Sequence, residues 1–277
     1  MKYSQKRELA RKSKNRKRLF LIFLILFFGF TLYLFLIPDV SKLKKENPLK
    51  TSFMQYRERE WKRTGKPYKI QQKWVPLPQI SPYLIKAVLI AEDDKFWRHE
   101  GFDYDAIRKA LEKDIREKKF KLGGSTITQQ LVKNLYLSPV KNPVRKIREA
   151  IITWRIERIL SKKRILELYL NVVEWGDYGI FGIEASSRSY YGKPASALNA
   201  NEASRLAAVL PNPRRYSPIG SSRYVSNRAH LIYSIMVKRG IIVPDYEEIA
   251  GEEGSVGSFY GKEIPSSIEK LREKELP

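Results

Sequence analysis

The stretch Leu84-Ile85-Lys86-Ala87-Val88-Leu89-Ile90-Ala91-Glu92-Asp93-Asp94-Lys95-Phe96 reads as a buried helix. Ile85, Val88, Leu89 and Phe96 recur at helical spacing, and Glu92 falls on the same apolar stripe. A carboxylate among apolar groups tends to keep its proton, or to act as a base when a proton is offered. A second acid, Glu149 in Arg145-Lys146-Ile147-Arg148-Glu149, stands at the start of another long helix. Two carboxylates in unlike surroundings are the usual equipment for chemistry at a sugar's anomeric carbon.

Outward from this stretch the pattern is mainly α. Ser81 before Pro82 is an N-cap followed by proline at the first helical position. The prolines at 76, 78 and 82 keep residues 74–82 extended. Helical patterns follow over 103–119, with Ile107, Leu111 and Ile115, and over 127–136, opened by Gly123-Gly124-Ser125-Thr126. Residues 145–160 place Ile147, Ala150, Ile151 and Trp154 on one face, the face expected to pack. Residues 164–173 carry Ile165, Leu166, Leu168, Tyr169 and Leu170. Shorter helices are predicted over 184–191 and 201–210, the latter stopped by Pro211-Asn212-Pro213, and an amphipathic one over 228–239. Gly176, Gly179 and Gly182 mark a turn-rich loop. Strand signals are few.

The chain of 277 residues carries 53 Lys and Arg against 30 Asp and Glu, which suggests an anionic partner. Leu19 to Ile37 is a run of 19 residues without charge or proline, long enough to span a bilayer. Nine basic residues precede it, from Lys2 to Arg18, against Glu8 alone, so the amino terminus is expected in the cytoplasm and the rest outside. No small-x-small cleavage site follows at Pro38-Asp39-Val40, which favours an uncleaved anchor over a signal peptide. The expected organisation is a disordered basic arm at 1–18, a transmembrane helix at 19–37 and a stalk or first capping segment at 38–70. A single domain at 71–240 and an acidic appendage at 241–277 complete it. The absence of cysteine excludes disulfides and thiolate metal sites. No nucleic-acid module is recognisable, and much of the excess charge lies near the membrane, where anionic lipid attracts it.

Three clusters carry candidate chemistry, each with a plain alternative. Glu92-Asp93-Asp94-Lys95-Phe96-Trp97-Arg98-His99-Glu100-Gly101 offers Glu92 as a base, Phe96 as a wall against water, and His99 to orient a carboxylate or bond the backbone. It also reads as a solvated acidic patch or a metal ligand set. Gly123-Gly124-Ser125-Thr126-Ile127-Thr128-Gln129-Gln130 presents backbone N–H groups at a helix start, which suits phosphate oxygens. It is equally a capped helix after a glycine turn. Arg145 and Lys146 precede Glu149 by four and three residues and share its face, as an anion site beside an acid or as a surface ion-pair ladder.

Taken together, these clusters resemble the biosynthetic peptidoglycan glycosyltransferases, in particular their membrane-anchored monofunctional members. Lys133-Asn134, Lys163-Arg164-Ile165-Leu166-Glu167-Leu168-Tyr169-Leu170-Asn171, and Ala207 to Pro213 with Tyr216-Ser217-Pro218 extend the resemblance in the family's order over roughly residues 70–220. It implies a lysozyme-like helical lobe with a small jaw beside the bilayer, preceded by one transmembrane helix. It implies polymerisation of lipid II into glycan strands, with inversion at the anomeric carbon and release of undecaprenyl pyrophosphate. In this reading Glu92 is the base, and Glu149 assists the leaving pyrophosphate. Lys133, Arg145 and Lys146 neutralise its charge. Ser125, Thr126, Gln129, Gln130 and Asn134 hold sugar and phosphate oxygens, with Asp93, Phe96 and His99 completing the site. Glu167 and Asn171 are expected to buttress the cleft.

No cofactor is implied, although a divalent Mg or Mn ion could bridge Asp93 or Asp94 to pyrophosphate. The partners implied are lipid II, the growing strand, the membrane and other proteins of wall synthesis, not nucleic acid, at the extracytoplasmic face of a bacterial inner membrane. About sixty residues follow the last block, too few for the transpeptidase domain of bifunctional members, so cross-linking is not expected. The dense charge between Asp105 and Lys121 suggests that Ile107, Leu111, Ile115 and Phe120 rest at the interface rather than deep in lipid. A glycan-cleaving enzyme of lysozyme type and a non-enzymatic anchored scaffold are the rival readings.

Overall fold

The computed structural model describes residues 2–35, 38–117, 124–139 and 142–242. Its helices are α1 (Lys2–Phe35), α2 (Ser52–Arg63), α3 (Pro82–Glu92), α4 (Tyr104–Glu117), α5 (Ile127–Tyr136), α6 (Pro143–Ile159), α7 (Lys162–Val172), α8 (Ile183–Tyr191), α9 (Ala200–Val209) and α10 (Arg223–Lys238). Extended pairing among the described residues is limited to two isolated bridges, Gln71 with Ile180 and Glu174 with Phe181. The mainly helical class is thereby confirmed.

Local chemistry sets most helix starts. Thr51, Thr126, Asn142, Ser161 and Asn199 each accept the backbone N–H three residues on, satisfying a donor the helix cannot. Thr126 with Gln129 and Asn199 with Glu202 close reciprocal capping boxes. Burial then arranges the helices. α3 sinks Leu84, Ala87 and Val88 completely and packs on α9, which packs in turn on α10. α5 lies between α6 and α7 and buries Ile127, Leu131 and Val132, each such side chain contributing about 1.5–3 kcal/mol. Glu92 therefore ends one helical layer where it meets the other.

The segment 38–70 is fastened to the domain and so acts as a cap. α2 buries Phe53, Met54 and Trp61 with Phe181. Arg57 donates from Nε and Nη2 to Glu174 at 2.8 and 2.7 Å, joining α2 to the glycine loop. Upstream, Arg164 of α7 donates to the Leu43 carbonyl and to Asn47 Oδ1, both at 2.8 Å.

Three expectations change. α3 stops at Glu92, not Phe96, because Asp93 takes φ −163° and ψ 76° and turns its carboxylate towards α5. Phe96 is still fully buried, from the turn beyond. α6 packs through the other side of its cylinder: Glu149, Ile152, Thr153 and Ile156 are buried, while Ile147 and Trp154 are 45% and 52% exposed. Two apolar stripes compete on this helix, and the charged residues Arg145, Lys146 and Glu149 decide between them by pairing with one another at the cleft. Third, the basic arm expected to lack structure is helical, α1 starting at Lys2.

Among the described residues no helix is long and apolar enough to cross a membrane. The expected span at 19–37 runs past them at residues 36 and 37. Gly123, Phe120, Lys121, the side chains of Leu111 and Ile115, and the acidic appendage beyond Ile242 also lie outside them.

The glycine loop carries a sharp test. Gly182 has φ +76°, and a Cβ there would stand 2.5 Å from the Asn171 carbonyl oxygen. Gly182→Ala is expected to destabilise the fold by about 3 kcal/mol or more, since backbone strain and a backbone clash add. A thermal midpoint within 2 °C of the parent's, measured in detergent, would refute that.

Candidate active site

Glu92 closes α3 with its side chain 10% exposed. Gln130 on α5 donates from Nε2 to Glu92 Oε2 at 2.7 Å, and Tyr169 on α7 donates its hydroxyl to Gln130 Oε1 at 3.0 Å. Two packed helices thus orient the carboxylate. Burial pushes its pKa up, and the bond from Gln130 with the charges of Arg228 and Lys133 pulls the other way. Tyr169 is itself fully buried, and its pKa is raised well above the ordinary range by burial. It therefore acts as a neutral donor. Tyr169→Phe is expected to slow turnover three- to tenfold and to lower the thermal midpoint by a few degrees, since Gln130 Oε1 loses a hydrogen bond worth about 1 kcal/mol. Turnover equal to the parent's would remove Tyr169 from the relay.

Asp93 is buried and spends both oxygens inside the protein. Oδ2 accepts the Ile127 N–H at 2.9 Å, at the positive end of α5, and Oδ1 meets His99 Nε2 at 2.8 Å. His99 Nδ1 accepts the Gly101 N–H at 3.1 Å, so a neutral ring carries its proton on Nε2 and donates it to Asp93. His99 thus does both things the sequence suggested, orienting a carboxylate and bonding the backbone. Thr126 donates from Oγ1 to the Gly101 carbonyl at 2.7 Å and caps α5 with Gln129. Asn134 donates to the Gln130 carbonyl at 2.8 Å. Asp93, His99 and Thr126 therefore lock the first two clusters together, while Gln129 and Asn134 bond within α5 and its cap. Phe96 is fully buried behind them, with Lys162 Nζ 4.5 Å from its ring centroid.

Across the cleft stands a cationic group. Glu149 is 3% exposed and is met by Arg145 Nη1 at 3.1 Å and by Lys146 Nζ, which also reaches Ser125 Oγ at 3.3 Å. Lys133 projects from α5 in the field of both Glu149 and Glu92, with burial pulling its pKa down and the two carboxylates drawing it back up. Among the described residues no carboxylate pairs with it directly. A half-desolvated cation between two acids, beside a guanidinium and a second ammonium, suits an anion that carries more than one charge.

A divalent ion finds no ready ligands. No group of three His, Cys, Asp or Glu side chains among the described residues could hold one. Asp93 is spent as above, and Asp94 is paired through both oxygens with Arg239, at 2.5 and 2.9 Å.

The comparisons with known proteins agree with this chemistry. Residues 58–237 match the transglycosylase family model. The chain belongs to the transglycosylase family. It is 42% identical over 224 residues to a biosynthetic peptidoglycan transglycosylase of Nitrosospira multiformis, covering 81% of this chain and 96% of that one. It is 53% identical over 181 residues to one of Azoarcus sp., covering 65% and 78%, and 45% identical over 221 residues to one of Aromatoleum aromaticum, covering 78% and 95%. This transglycosylase is accordingly a glycosyltransferase of peptidoglycan synthesis.

Asn171 and Glu167 fasten α7 to the segment that leads into α3. Asn171 bonds both the N–H and the carbonyl of Val75, at 2.9 and 2.8 Å, and Glu167 accepts the Leu77 N–H at 2.8 Å. Sequence reasoning missed Tyr169 as a polar contact, taking it for core, and missed Arg228 of α10. The signal for Arg228 was present: it interrupts the apolar stripe Val225, Ala229, Ile232, Met236, and is itself only 8% exposed.

Proposed function

We propose that this transglycosylase polymerises lipid II while anchored at the outer face of a bacterial inner membrane. The acceptor's 4-hydroxyl gives its proton to Glu92 as its oxygen bonds to the anomeric carbon of the growing strand's terminal sugar. The bond from that carbon to the pyrophosphate oxygen breaks on the opposite side, so configuration inverts. The departing undecaprenyl pyrophosphate leaves with its electron pair towards Lys133, Arg145 and Lys146, with Glu149 holding the last two in place. The observation that carries this reading is a buried carboxylate facing a partly desolvated lysine that it shares with the Glu149 cluster.

The lysozyme-like lobe and membrane-proximal jaw implied by the resemblance belong to the same proposal. α1 supports the anchoring. Consecutive side chains from Leu19 to Phe23 are 52–66% exposed, so apolar groups face outward all round the helix, as lipid requires and water disfavours. Exposed Ile147 and Trp154 on α6 suit the headgroup layer.

The test is purified full-length protein with labelled lipid II, the product resolved by size with and without a chelator. Longer strands in both conditions support the proposal. No polymer from lipid II, with fragments released from sacculi instead, would favour glycan cleavage.

A further inference from the structure

We propose that Arg228 is a positioning residue for the proton transfer, holding its charge 3.8 Å from Glu92 Oε1 without a direct hydrogen bond. The inference rests on the glycosyl-transfer reading above and deepens it.

The two oxygens of Glu92 differ. Oε2 is occupied by Gln130 Nε2. Oε1 is buried and has no hydrogen-bond partner among the described residues, although Arg228 Nη2 stands 3.8 Å away. That guanidinium is held off by its own bond, Nη2 to the Ala91 carbonyl at 3.2 Å, and its Nε is buried without a partner. A buried acceptor left unsatisfied beside a guanidinium costs free energy that direct pairing would recover. The fold keeps them apart. A guanidinium in direct contact would fill the lone pairs of Oε1 and leave a poor base. One much farther away would let burial hold the carboxyl protonated. At this separation the charge favours the carboxylate without a direct bond to it.

The other groups acting on Glu92 do not substitute for Arg228. Asp93, next along the chain, opposes ionisation. Lys133 on α5 favours it, but lies on the side where the leaving group's charge collects. Tyr169 on α7 is neutral and reaches Glu92 only through Gln130. Arg228 comes from α10, in the layer behind α3.

The test compares Arg228→Gln, which keeps an N–H donor for the Ala91 carbonyl but loses the charge, with Arg228→Lys, which keeps the charge. Full-length protein would be assayed with labelled lipid II across pH, with thermal midpoints alongside. The acid limb of kcat/KM in Arg228→Gln is expected to move up by about one pH unit, a tenfold loss below the limb that recovers at alkaline pH, with KM little changed. Arg228→Lys is expected to keep the parent limb. A loss uniform across pH, or a limb shifted equally in both variants, would assign Arg228 to the scaffold alone. Should Arg228→Gln fail to fold, the limb of Arg228→Lys decides, retained for the proposal and displaced against it. Glu92→Gln serves as the control. Polymerisation by that variant at the parent's rate removes Glu92 as the base of the glycosyl transfer, whereas an unmoved limb in Arg228→Gln overturns only this inference.

Discussion

Glu92→Gln is expected to lower glycan polymerisation about a thousandfold, the upper range for loss of a positioned general base, while lipid II binding is largely retained. The amide can still accept from Gln130 Nε2, so the relay from Tyr169 survives in shape. What disappears is the group that can take a proton. Stability should move the other way. Burial raises the Glu92 pKa above its unfolded value, so in the interval between the two the native state holds more protons than the unfolded chain. Stability then falls as pH rises through that interval, because the carboxylate form is the one burial penalises. A neutral Gln removes that penalty. The thermal midpoint of Glu92→Gln at neutral pH is expected to equal or exceed the parent's. A variant that lost activity together with several degrees of midpoint would show damage to the fold, not removal of a base.

Lys133→Met should lower the rate about a hundred- to a thousandfold, as for the loss of one preorganised charge at a transition state. The methionine keeps most of the stem's length, so packing between α5 and α6 changes little. Two effects combine. The departing diphosphate loses a cation that lies in the field of both acids, and Glu92 loses a charge that favours its ionised form, so the acid limb should also rise. The same stability logic applies with the sign of a base. Burial depresses the Lys133 pKa, so the unfolded chain binds the proton more tightly in the interval below its ordinary value, and stability rises with pH there. At neutral pH the buried ammonium is a burden on the fold, and Lys133→Met is expected to unfold at the parent's temperature or above it. Unchanged kcat across a lipid II titration would leave Arg145 and Lys146 to carry the leaving group alone.

The two residues whose removal should stop catalysis are thus also residues whose burial the fold resists. Such strain is expected where a site is shaped for a reaction rather than for stability. It separates them from Asp93, His99 and Thr126, whose bonds are complete and whose loss should cost structure first.

Much of this was readable along the chain. The capping box of Thr126 and Gln129, the proline start of α3 and the breaks on either side of α5 depend on neighbours three or four residues away, so the helices could be placed from residue order alone. Glu92 was conspicuous because an acid interrupts an apolar stripe. The position of Lys133 one turn from Gln130 followed from the helix it shares with it. Where two solutions satisfied the same periodicity, the residues did not choose. α6 offered Ile147 and Trp154 as one packing face and Ile152 and Ile156 as another, and the second was taken because Glu149 and its cations had to meet α5.

What residue order determined, then, is each helix, its caps and the presence of an acid where apolar side chains belong, because these rest on contacts within one or two turns. Only the tertiary structure decided that Asp93 ends α3 by capturing the start of α5, and that Arg228, 136 residues beyond Glu92, stops short of bonding its buried oxygen. Burial and charge separation are properties of the space between helices, and no local spacing encodes them.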